Sequence, residues 1–338
     1  CCSRKREKVV SKTQKTISAK QSVVNSAPAP LEPSRTLGLL ILLLSIIFTA
    51  VWLTRESIGK LSLENSNSLS PDTSGTLAGF DSDNWYLAND SALGFVEIPA
   101  GTFTMGSNPV LDSMAYGNEQ WSRRKRQGEV DLPRYFISRF ETTVAQYRAY
   151  LADTAQFSKA LNLDSAGNYP VAGVTWPETL RYARWLEEKL RQSDSTPEQI
   201  KKFLNSGAHV TLPSEAQWEK AARGTDNRVF PWGSRVRTDV ANFNNSRALM
   251  VGALPCSSCS YGLSDMSGNV WELTRSPLQD YPYNPDDDGE DLSSEVIWVM
   301  RGGSYADQIN NVRAAVRGGV DPSVRSLTIG FRLVITTH

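Results

Sequence analysis

Residues 37–54, LGLLILLLSIIFTAVWLT, run for eighteen residues without a charge. A bilayer core takes about 20 apolar residues as a helix, so this run is just long enough to span it. It lacks the polar face of a buried amphipathic helix. The 36 residues ahead of it exceed the basic lead of a signal peptide. Trp52 lies near one end, where an interfacial aromatic is expected. Residues 1–36 carry eight basic and two acidic side chains, a net +6; the whole chain balances 36 against 36, so the remainder is −6. The positive-inside rule then keeps the tail cytoplasmic and sends residues 55–338 outside, periplasmic in a bacterium. The expectation is a single-pass membrane protein. An acidic body gives no electrostatic reason to expect a nucleic-acid partner. The chain opens on Cys1-Cys2 rather than Met, which reads as a fragment of something longer.

Composition divides the chain further. Residues 1–36 form a basic cytoplasmic segment, 37–54 a transmembrane helix, and 55–93 an external linker rich in Ser, Asn, Asp and Gly. Residues 94–338 form one globular domain with short apolar runs and most of the tryptophans. Four helices are predicted there, over 142–153, 175–191, 196–207 and 213–224. Thr175 with Glu178 and Ser214 with Gln217 have capping-box spacing. Thr196 reads as a cap, Pro197 as the first helical residue and Gly207 as the stop. Short strands are predicted in FVEIPAGTFTMGS, RYFISRF, HVTLP, VIWVMRGG and IGFRLVI. Helices in the middle and strands at both ends indicate an α+β class with much irregular structure.

Eight phrases carry a resemblance: FVEIPAGTFTMGS (95–107), RYFISRFETTVAQYRAYL (134–151), YPVAGVTWPETLRYARWLEEKL (169–190), VTLPSEAQWEKAARG (210–224), FPWGS (230–234), YGLSDMSGNVWELTRS (261–276), RGGSY (301–305) and IGFRLV (329–334). In this order they resemble the formylglycine-generating enzyme, or sulfatase-modifying-factor, family across nearly all of 94–338. The resemblance implies a C-type-lectin-like α+β fold. It does not by itself imply the reaction.

Active members of the family oxidise a sulfatase cysteine with copper held by two thiolates, which suit soft Cu(I). The matching positions here are Asp307 and Val312, a hard carboxylate and no ligand at all. Copper is therefore not expected. Ser304 and Trp271 match positions lining the family's active-site region. Iron in a two-histidine, one-carboxylate site would need both His209 and His338, the only histidines, so iron is not expected either. Cys256 and Cys259 form a C-x-x-C that reads as a local disulfide, half a zinc site, or a relocated redox or copper pair.

The resemblance places a calcium loop at SDMSGNVWEL, with Asp265, Gly268, Val270 and Glu272 as oxygen donors of the type Ca²⁺ prefers. The alternative is a tight Gly-Asn turn with Glu272 capping an amide. Asn242 and Phe243 match the start of a second family calcium loop. NPDDDGEDLSSE (284–295) has EF-hand spacing at Asn284, Asp286, Asp288, Gly289 and Glu295, but no helical flanks, so it reads as a solvated acidic loop. Arg313, Arg317 and Arg332 are expected to bridge loops. Two function classes follow. One is a catalytically silent binding or scaffolding domain whose variable surface, over 304–328, includes Tyr305, Asp307, Gln308, Asn310 and Asn311, for a protein, peptide or glycan. The other is an oxidoreductase with relocated redox residues. A sensory ectodomain of a longer signalling protein is compatible with the first.

Overall fold

The computed structural model describes residues 90–338. The apolar run 37–54 lies outside them; no helix among the described residues is long and apolar enough to cross a membrane. The fold mixes helices with three small sheets. The four predicted helices are present as α1 (Val144–Thr154), α2 (Trp176–Gln192), α3 (Glu198–Asn205) and α4 (Glu215–Arg223). Reciprocal side-chain bonds cap α1 through Thr143 and Gln146 and α4 through Ser214 and Gln217. These bonds satisfy amides that a first turn leaves unpaired. At α2 the Glu178 carboxylate accepts from Thr175 N at 2.8 Å. One cap differs from expectation. Pro197, not Thr196, precedes α3, and the Thr196 hydroxyl instead donates to Leu190 O at 2.8 Å, tying α3 to the end of α2.

The strands are β1 (Phe95–Ile98), β2 (Gly101–Met105), β3 (Gly128–Leu132), β4 (Tyr135–Ser138), β5 (His209–Thr211), β6 (Trp271–Pro277), β7 (Trp298–Arg301), β8 (Arg317–Val320), β9 (Ile329–Gly330) and β10 (Val334–Thr336). One antiparallel sheet has the order β1-β4-β10-β5, a second pairs β2 with β3, and a third runs β8-β7-β6-β9 with β6 and β9 parallel. The phrase IGFRLVI thus supplies a strand to each four-stranded sheet, and Arg332 lies on the short link between them. On α2, Trp176, Leu180, Ala183, Leu186 and Leu190 recur at helical spacing and are buried with Tyr147, Phe203 and Phe331. Truncating Leu186 there would cost about 2–5 kcal/mol. A second cluster packs Trp218 and Ala221 of α4 against Ile98, Tyr135 and Val334.

Three strands lie where sequence reasoning placed loops. β6 begins at the end of the proposed calcium phrase and is buried through Trp271–Ser276. Burial on both faces erases the alternation that marks an exposed sheet. β8 lies inside the stretch read as a variable surface. Its Gly318 and Gly319 obscure it in the sequence, yet a Cβ at Gly318 would meet Met300 at 2.7 Å, and one at Gly319 would meet Leu278 at 2.5 Å. β3 also went unread.

Candidate functional site

The phrase SDMSGNVWEL leads into β6 through a turn in which Asp265, Gly268 and Asn269 all have positive φ. Gly268 is required by contact as well as by conformation: a Cβ would lie 2.1 Å from Asn242 O. Asn242 and Gly268 form an isolated parallel bridge, and Asn269 N donates to Asn242 O at 2.8 Å. The structure therefore brings together the segments read from sequence as two separate calcium loops. The Asn242 carboxamide accepts from Asn245 Nδ2 and donates to Asn269 Oδ1, at 2.8 and 3.0 Å. Phe243 packs at the edge of a small apolar cluster.

Glu272 is fully buried. Its carboxylate accepts from Arg332 Nε and Nη2, both at 2.6 Å, and from Trp218 Nε1 at 2.6 Å. It caps no backbone amide. Arg332 also donates to the carbonyls of Ser138, Arg139 and Ser264, so one guanidinium ties β4, β6 and the turn together. Asp265 Oδ2 accepts from Gly252 N at 2.7 Å, while Oδ1 takes no hydrogen bond from the described residues. A third carboxylate, Glu141, was missed from sequence. It is 1% exposed and accepts from Asn269 Nδ2 and Val270 N. Its only signal was its place two residues before the α1 cap, Thr143.

Three carboxylates thus face one guanidinium. Burial holds the Glu141 carboxyl well above the usual carboxylate range, and the charges of Asp265 and Glu272 reinforce this. Burial likewise pushes Asp265 up to about 6, with Glu272 adding to it and the Gly252 N–H and Arg332 opposing. Burial by itself would lower Arg332, but Glu272, Glu141 and Asp265 outweigh it and hold the guanidinium ionised. The cluster has hard oxygen donors and an uncompensated negative charge, which suit Ca²⁺ in type. No three Asp, Glu, His or Cys side chains among the described residues have metal-ligating geometry. A cation here would rely on Asp265 with the carbonyls of Gly268 and Val270, because Glu272 is already satisfied by Arg332 and Trp218.

The positions matched to the copper thiolates differ sharply from this cluster. Asp307 Oδ2 accepts from Trp271 Nε1 at 2.9 Å, Ser304 N at 3.0 Å and Ser304 Oγ at 2.6 Å. Asp307 Oδ1 accepts from Asn311 Nδ2 at 3.0 Å. Ser304 and Trp271, singled out from sequence, are thus both partners of Asp307. Val312 is fully buried among Val229, Phe230, Trp232, Val240 and Ala241. Cys256 and Cys259 pack against this same cluster and are joined in a disulfide.

The proposed binding surface is brought together in part. Tyr305 N donates to Asn269 O, Asn245 N to Tyr305 O and Asn244 N to Asp307 O, all within 2.8 Å. Tyr116 OH donates to Asn311 Oδ1 at 2.9 Å and accepts from Asn310 Nδ2. Gln308 is exposed, but Val312–Arg317 is buried, which corrects the reading of 304–328 as a continuous surface. Its arginines point inward. Arg313 pairs with Asp112 and Glu119 at 2.6 Å, and Arg317 pairs with Glu215 at 2.6 Å. Arg301, in RGGSY, pairs with Glu219 of α4. Sequence reasoning named the arginines at 313, 317 and 332 as bridges but not their carboxylates.

The acidic loop 284–295 has a short 3-10 turn at Pro285–Asp287 and no flanking helices. It is not solvated throughout: Asp288 is turned inward onto Ser276 and Tyr283, and Glu290 pairs with His209 at 2.9 Å. His338 accepts from Arg275 Nη2 through its backbone carbonyl.

The chain matches the family described as sulfatase-modifying factor enzyme 1-like domain over residues 87–337, and it belongs to that family. It is 29% identical to a hercynine oxygenase of Mycolicibacterium smegmatis over 284 residues, covering 70% of this chain and 60% of the oxygenase. The chain thus spans less than two thirds of that relative's length. It is 26% identical to a mouse protein named inactive Cα-formylglycine-generating enzyme 2, covering 72% of this chain and 86% of the mouse protein. The structure of PvdO from Pseudomonas aeruginosa superposes with a TM-score of 0.57 at 23% identity, covering 71% of this chain and 93% of PvdO. That likeness concerns the fold alone.

Proposed function

We propose that this domain has lost the copper chemistry of formylglycine generation and acts as a membrane-anchored, extracytoplasmic binding module. The carrying observation is the state of Asp307 and Val312. The first is a carboxylate with both oxygens engaged by protein donors, and the second is an apolar side chain sealed in a cluster. Neither offers a soft donor. The polar surface of Tyr305, Asp307, Gln308, Asn310 and Asn311 is the face a protein, peptide or glycan would meet. Asp265, with the carbonyls of Gly268 and Val270 and the charge of Glu272, would hold calcium, which would offset the carboxylate surplus. Asn242 and Phe243 would brace that loop rather than form a second site. The run 37–54 would anchor the chain.

One observation favours a second reading. The Cys256–Cys259 disulfide packs on the cluster that contains Val312, so a relocated redox pair would lie beside the old position. The test is to incubate the full chain with Cu(I), oxygen, reductant and a cysteine-containing sulfatase peptide, and to follow peptide mass. No aldehyde product is expected, before or after Cys256→Ser with Cys259→Ser. Turnover that disappears in the double variant would overturn the binding reading.

A further inference from the structure

The loop between β2 and β3 carries two features that no role above absorbs. Its first tip is apolar. Val110 and Leu111 are 90% and 62% exposed, in a turn closed by Leu111 N to Asn108 O and Val110 N to Asn108 Oδ1. Its second tip is cationic. In WSRRKRQ, Trp121 N donates to Arg126 O and Ser122 N to Lys125 O, so Arg123, Arg124 and Lys125 occupy a tight turn. All three are exposed; the Ser122 hydroxyl accepts from the backbone N–H of Arg124 and of Lys125, and among the described residues the three charged side chains themselves make no ion pair or hydrogen bond. The Arg126 guanidinium donates to the Gln120 carboxamide oxygen.

Both tips are held on the core. The carboxylates within the loop are Asp112 and Glu119, and both are bound by the buried guanidinium of Arg313. One follows the apolar tip directly, and the other lies just before the basic turn. Trp121 packs over Gly128, where a Cβ would meet its ring at 2.1 Å, and against Tyr281 with ring centroids 5.3 Å apart. The tips are therefore preorganised, and ordering them on a partner costs little. Adjacent cations without paired counter-charges repel one another in the free protein.

We propose that this loop docks on an anionic phospholipid surface, with Arg123, Arg124 and Lys125 against the headgroups and Val110 and Leu111 entering the interface. A convex tip cannot enclose a small anion, but it can lie on a flat array of charges. Clustered Lys and Arg beside an anionic leaflet are each attracted to it, and exposed aliphatic side chains add burial at the headgroup boundary. The apolar and basic tips belong to one loop and are both anchored through the Arg313 guanidinium; exposed aliphatic side chains on that loop favour a bilayer over a free polyanion, which would leave them in water.

The test uses the full chain with lipid nanodiscs made with or without phosphatidylglycerol, and reads acetylation of Lys125 by mass spectrometry. Exposed Lys159 and Lys202 serve as internal references. Lys125 is expected to react about tenfold more slowly with anionic discs than with neutral ones. The protection should vanish in about 1 M salt, where the Debye length is about 3 Å. It should fall below about twofold in Arg123→Gln with Arg124→Gln, and weaken in Val110→Ser with Leu111→Ser. Equal acetylation with both disc types would overturn the proposal, as would protection that survives the arginine substitutions. Protection by dextran sulfate in detergent but not by anionic discs would assign the turn to a soluble polyanion instead. The readout is local, so the basic tail does not contribute to it. A chain that stays outside the discs would overturn the anchor at 37–54 while leaving this comparison valid.

Discussion

Two regions that meet at Trp271 and Asn269 have opposite electrostatic states. Around Arg332, three carboxylates share one guanidinium, and two of them are held above the usual carboxylate range. Around Asp307, one carboxylate is matched by four donor contacts, and Val312 nearby in the chain is buried in an apolar cluster. The first region is left with a demand for positive charge shared by three close carboxylates, and the second meets a single carboxylate with neutral donors alone. Reactivity toward a metal is read more directly from that residual demand than from the outline of the fold.

The largest test of this contrast is Arg332→Met. Removing the only cation among Glu141, Asp265 and Glu272 leaves buried charges unpaired, which costs about 3–5 kcal/mol. We expect the denaturant midpoint to fall by most of the margin that keeps such a domain folded. Asp307→Asn preserves shape and some acceptor capacity, and should cost about 1–2 kcal/mol. An equal loss in both variants would remove the distinction between the two regions.

A calcium titration comes next in size. At 100-fold excess over Kd, binding to the native state alone adds about 2.7 kcal/mol. The parent chain should therefore melt higher with Ca²⁺ than with chelator. Asp265→Asn should lose this difference and Asp307→Asn should keep it. A melting point unaffected by Ca²⁺ in the parent would mean that Arg332 alone satisfies the cluster.

An effect of comparable size is expected from pH in chelator. Asp265 titrates near 6 in the folded state and about 3.9 when unfolded. The folded state then binds more protons over this window, so this group's contribution to stability falls as pH rises from about 4 to 6. Asp265→Asn removes the ionisation but keeps an acceptor for Gly252 N. Its melting temperature relative to the parent should therefore be higher at neutral pH than near pH 4. The opposite slope would show that Arg332 dominates Asp265.

Much of this structure was legible in the sequence, for local reasons. Ser214 and Glu178 announce their helices because a cap needs only residues three apart. β8 was not legible, because its two glycines have poor strand propensity and are required only by Met300 and Leu278 from elsewhere in the chain. Glu141 was not, because it joins Asp265 and Glu272 across more than 120 residues. The inward turn of Arg313 depended on Asp112 and Glu119 in a distant loop, which the local pattern around RAAVRGG could not reveal.

The most direct test of the central claim is Cu(I) retention at positions 307 and 312. The full chain is prepared with its four cysteines replaced by serine, so that no other thiolate can hold the metal. It is titrated against a chromophoric Cu(I) chelator, beside the same chain carrying Asp307→Cys and Val312→Cys. We expect the cysteine-free chain to leave all the copper with the chelator, and the restored pair to withdraw about one equivalent, as two soft thiolates would. Retention of one equivalent by the cysteine-free chain, lost on Asp307→Ala, would contradict the claim that this region has lost its copper site.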